Sequence, residues 1–139
     1  MINFFVAALH AATLGFMLCF LIIVAPNIHR ILSPESAGTL LRKLFPSIFI
    51  FGLTMVAVAA ILALLEGQTL VGGLSAVSAV GFAVNAYIIA PTINKYRDAV
   101  AAGETSLSSK FRATHRLSVI IYLAQIIVSF ACLLLLFGN

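Results

Sequence analysis

The chain has 139 residues, of which 63% are hydrophobic and only 9% charged, with a formal net charge of +4 and a mean hydropathy of +1.18. A soluble domain of this size leaves too much of its surface outside to hide that apolar content, so the composition excludes one and makes lipid the solvent. No basic and aromatic stripe accompanies the positive charge, so the charge is not evidence for a nucleic-acid partner and none is expected.

A helix needs about 20 mostly apolar residues to cross roughly 30 Å of hydrocarbon. Four stretches qualify, at about 3–25, 46–65, 69–90 and 117–137, and they predict an all-α integral membrane bundle in one domain over 1–139. The first has no Lys or Arg before Arg30, and its apolar run outlasts a signal-peptide core, so it reads as a retained membrane helix. It carries His10 about 10 Å below its outer end by helical rise. An ionisable group inside the membrane is a functional hypothesis by default. Three readings of His10 stand open: a neutral imidazole bonded to a neighbouring helix, a ligand to haem or a metal, or a proton acceptor. The span ends on "VAPNIHR", residues 24–30.

The next stretch, "SPESAG", offers Ser33 as N-cap, Pro34 at the first helical position and Glu35 at the helix's positive end. It predicts a short interfacial helix over 34–44 that bends at Pro46 into the second span. A turn reading "EGQTL", residues 66–70, leads to the third span. There Ser75, Ala79 and Ala83 share one helical stripe, which suits close approach of another helix. This span closes on "IAPTINK", residues 89–95, a near copy of the first ending. The helix then continues to Gly103, a good residue for the position after a C-cap. Ser106 or Ser108 is the candidate cap beyond a loop at 103–109, and "FRATHRLS" leads into the fourth span. Cys19 and Cys132 fall at opposite depths, which argues against a disulfide between them.

All eight cations lie in two connections: Arg30, Arg42 and Lys43 in the first, and Lys95, Arg97, Lys110, Arg112 and Arg116 around the third. Positive residues remain on the cytoplasmic side. Both connections are therefore expected in the cytoplasm of an inner-membrane protein, with the termini on the periplasmic side. Spans one and three then run the same way, and the duplicated ending reads as a parallel repeat of two hairpins. "LRKLFPS" and "FRATHRLS" form a weaker second match. Pro26 and Pro91 each remove one backbone donor, from the carbonyls of Ile22 and Tyr87. Two outcomes fit: kinked exits into headgroup water, or a pair of kinks framing a pocket that faces the cytoplasm.

His29 and His115 belong at the basic interface and approach each other if spans one and four are neighbours. A metal there needs a third ligand, from Glu35 or Asp98. His10 and His115 differ by about 20 Å in depth and cannot share one metal. Asn85 and Gln125, with Thr54, Ser75, Ser78 and Ser129, are polar groups within the spans, suited to interhelical hydrogen bonds or to lining a polar path. The sequence has no phosphate loop, no nucleophile with a base at usable spacing and no paired intramembrane carboxylates.

Several blocks resemble the bacterial branch of the family named after transmembrane protein 205. They are Ala37, Gly38, Leu44, Phe45 and Pro46; then Asn85, Pro91 and Arg97; then Phe111, His115, Leu117 and Ser118. His10 also falls where members of that family often carry a histidine. The resemblance implies a four-helix membrane fold and nominates positions, but brings no reaction. The expected function is association, as an accessory or assembly subunit or a homo-oligomer in the lipid bilayer. The alternatives are a haem or metal protein using His10 and His115, and a small-solute permeation helper.

Overall fold

The computed structural model describes residues 1–138. Those residues form helices and no strand. Four helices are long and apolar enough to cross a membrane: span one Ile2–Ile31, span two Pro34–Leu65, span three Thr69–Ala101 and span four Thr105–Phe137. Each outruns its hydrophobic stretch, because the polar ends continue the helix instead of leaving it. Spans one and three each pack between spans two and four and face one another across the diagonal. One end of the bundle gathers the two connections that hold the cations. The termini and the turn after Leu65 make the other.

Two glycines close helices in the left-handed region, where a side chain would be strained. Gly67 has φ of 72°, and the next amide, Gln68 N–H, returns to the Ala63 carbonyl at 2.9 Å. Gly103 has φ of 103°, and Glu104 N–H returns to Ala99 at 3.0 Å, as the sequence suggests. Ser33 caps span two by accepting from Ser36 N–H at 3.3 Å. The expected separate helix over 34–44 does not form: Pro34–Leu65 is one helix with Pro46 inside it. The single bond Pro46 forfeits, to the Arg42 carbonyl, lies at the polar end of the span, where that loss is tolerable. Neither Ser106 nor Ser108 caps span four. A 3₁₀ turn over Thr105–Leu107 runs straight into the helix and puts Leu107 at the N-cap.

The duplicated endings take the same backbone form. A π-helical turn spans Phe20–Val24 and another spans Asn85–Ile89, each just ahead of an Ala-Pro pair. Ala25 N–H bonds to the Phe20 carbonyl and Ala90 N–H to that of Asn85. One turn on, Asn27 Nδ2 donates to the Ile23 carbonyl and Thr92 Oγ1 to that of Ile88, both at 2.7 Å. The helix thus absorbs each proline by widening one turn and recruiting a side chain, rather than by ending. The buried positions of span one recur in span three at the same spacing: Val6 and Val71, His10 and Ser75, Thr13 and Ser78, Met17 and Phe82, Phe20 and Asn85.

Packing differs along the axis. Val6, Ala59, Ala63, Val71 and Cys132 form a tight cluster at the termini end. Met17, Phe20, Phe49, Phe82 and Tyr122 fill the basic half. Gly52 makes room for the Phe82 ring, which a Cβ there would strike. The small-residue stripe of span three is used inside the chain, with Ser75 buried, Ala79 against the core and nearby Gly81 beneath the Gln125 amide.

Candidate functional site: a pocket at the basic end below a polar layer

From Phe20 onward the backbone of span one draws away from that of span four and comes close only to span two, while the Phe20 ring still reaches Tyr122 across the gap. The gap is a pocket of about 420 Å³. Its walls are Phe20, Leu41, Phe45, Phe49 and Tyr122, and its rim carries His29, Arg42, Asn94, Arg97 and His115. The helical extension beyond Pro91 delivers Arg97, whose Nη1 donates to the Gly38 carbonyl at 2.9 Å. A Cβ at Gly38 would stand 3.3 Å from that nitrogen, so the glycine lets the guanidinium lie close. Arg42 is ion-paired with Asp98 on the exposed side. The His115 ring lies parallel to Phe111, with centroids 6.3 Å apart, and shares the rim with Arg97 and His29. Cations outnumber the single acid, so the rim is electropositive.

Deeper in the bundle is a polar layer. His10 and Ser75 bridge the diagonal, with Nε2 and Oγ 2.9 Å apart. The Ser75 hydroxyl spends its one proton on the Val71 carbonyl at 2.7 Å. It can therefore only accept from His10, which assigns the imidazole proton to Nε2 and leaves Nδ1 as a bare acceptor. That Nδ1 is buried without a partner. Gln125 Nε2 donates to the Ser78 carbonyl at 3.0 Å. Gln125 Oε1, the Ser78 and Ser129 hydroxyls and both amide atoms of Asn85 are buried and unpartnered. Each such group costs free energy in an apolar interior.

The site residues named from the sequence thus separate into two layers. His10, Asn85 and Gln125 are buried in the bundle, while His115 and Arg97 stand at the pocket. His29 joins His115 there, and Glu35 does not. Among the described residues no three His, Cys, Asp or Glu side chains gather as a metal-ligand set. His10 is fully buried with one ring nitrogen already engaged, which does not fit an open coordination site. Both cysteines are free, Cys19 exposed and Cys132 buried. Of the prolines, Pro46 lines the pocket. Arg30, Lys43, Lys95, Lys110, Arg112 and Arg116 surround the basic end outside the lining.

Sequence reasoning missed Tyr122, whose hydroxyl donates to the Met17 carbonyl at 2.9 Å and ties span four to span one. Its place one turn beyond Ser118, on the face that carries Gln125, was the available signal. Three separate blocks meet at the pocket: Phe45 and Pro46 from the first, Arg97 from the second, Phe111, His115 and Ser118 from the third.

A protein-family model described as a domain of unknown function (DUF4149) matches residues 8–102, which run from the first span to the end of the third. No curated protein and no solved structure matches the chain.

Proposed function

We propose, for a chain that belongs to this family of unknown function, a small multi-pass inner-membrane protein that acts by association through its basic end. That end faces the cytoplasm in this reading and the termini face the periplasm. The two hairpins are pseudo-equivalent halves, a reading supported by the matched π turns and buried positions. The observation that carries the function is the meeting of three distant blocks around one electropositive pocket. Among the described residues no hydroxyl or thiol of the pocket lining is hydrogen-bonded to a base, which favours binding over catalysis. Because the small stripe of span three is spent inside the chain, a protein partner or second copy would dock elsewhere.

Two measurements test this. In a Cys19→Ser, Cys132→Ala background, an impermeant thiol reagent applied to intact cells should label Glu66→Cys and spare Arg30→Cys and Lys110→Cys. Labelling of either basic-end position overturns the orientation. Native mass spectrometry from mild detergent should show a bound partner, second copy or ligand. A bare monomer counts against action by association.

One observation favours a second reading, permeation of a small solute. The unpartnered atoms of His10, Ser78, Asn85, Gln125 and Ser129 suit a polar path. Flux into liposomes that is unchanged by Asn85→Leu removes that reading.

A further inference from the structure

We propose that the basic-end pocket holds one anionic membrane lipid, its tail between spans one and four and its headgroup at Arg97, His29 and His115. The inference rests on the reading of the basic end as the working end and names the ligand of that site. In this reading the mouth faces the leaflet. Leu21 and Val119 line the pocket from spans one and four, and each is 38% exposed on a face that lipid covers. The walls suit hydrocarbon. Phe20 and Phe49 meet Tyr122 edge-on, both at 6.5 Å between centroids. The Tyr122 hydroxyl is already committed to Met17 and adds nothing polar.

The rim suits one anion. Arg97 spends Nη1 on Gly38, and its remaining donors make no bond within the chain among the described residues. The same holds for the side chains of His29, Asn94 and His115. Asp98, the nearby acid, is taken by Arg42. Free phosphate would satisfy this rim and leave aromatic walls bare. An uncharged lipid would cover the walls and leave the cations uncompensated. A lipid with an anionic head answers both, and the cavity volume falls in the range of about 300–1,000 Å³ usual for ligand sites.

The full chain in detergent, equilibrated with equal phosphatidylglycerol and phosphatidylcholine, is read by native mass spectrometry. One phosphatidylglycerol should be retained over phosphatidylcholine by about fivefold, the preference expected from one interfacial cation. Arg97→Gln should bring the two lipids to parity. Since Arg97 also braces Gly38, Ala25→Leu is the companion: it fills the pocket without removing a charge and should abolish retention of both lipids. Excess inorganic phosphate should not displace the lipid. Equal retention in the unaltered chain, retention indifferent to Ala25→Leu, or displacement by phosphate overturns the proposal, the last by assigning the rim to a free anion. Retention in detergent does not depend on which side the basic end faces, so failure here and failure of the orientation test are separable.

Discussion

The two ends of this bundle use the same four helices and reach opposite outcomes. At the termini end the contacts are Val6, Ala59, Ala63 and Val71, none more than 2% exposed, so the backbones draw close and the interior closes. At the basic end Phe20, Phe45, Phe49 and Tyr122 stand between the helices, and a pocket opens where span one leaves span four. Lipid supplies no hydrophobic drive between helices, so side-chain size and fit decide the spacing. A sealed end and an open end follow from the sizes of a few residues, without any change of secondary structure.

The sharpest way to break that contrast is at its border, where Gly52 admits the Phe82 ring. Gly52→Val puts carbon where the ring lies and should cost about 3 kcal/mol through overpacking. Thermal unfolding in detergent checks it: a Tm within a degree of the unaltered chain would show that the border is loosely packed. Asn85→Leu should act the other way. Both amide atoms of Asn85 are buried without a partner, so removing them should stabilise by about 1–2 kcal/mol. Destabilisation instead would reveal that water or a ligand bonds the amide, and would move the polar layer from structure to function.

Much of this was legible in the sequence for definite reasons. Hydropathy and length give the four spans, and local capping chemistry gives Ser33 and Gly103. The repeated Ala-Pro ending flags two helix ends that take the same backbone form, because both copies meet the same backbone problem. Its solution was not legible: a π turn is set by what packs around it, and Phe20 and Asn85 open the two copies with unlike side chains. The continuity through Pro46 and the diagonal bond from His10 to Ser75 likewise depend on neighbours distant in sequence. Arg97 read as a topology cation and as one position of a resembling block, but not as a brace, since its carbonyl partner on Gly38 lies 59 residues away.

Two smaller effects sharpen the comparison between interior and rim. Ser75→Ala removes the acceptor for His10 Nε2 in the sealed half, and should cost about 1 kcal/mol, near the upper part of what interhelical bonds in membranes provide. Arg42→Ala removes the ion pair with Asp98 at the open end, where the two side chains are 42% and 60% exposed. Water and salt screen such a pair, so its loss should cost no more than about 0.5 kcal/mol. A single chain titrated with salt separates the two cases. The Ser75→Ala deficit should persist at high ionic strength, because that bond is neutral and shielded from ions. The Arg42→Ala deficit should vanish, because screening has already removed what the substitution takes away. An Arg42→Ala loss that survives high salt would mean that the pair braces the pocket rim, as Arg97 does through Gly38, rather than decorating its surface.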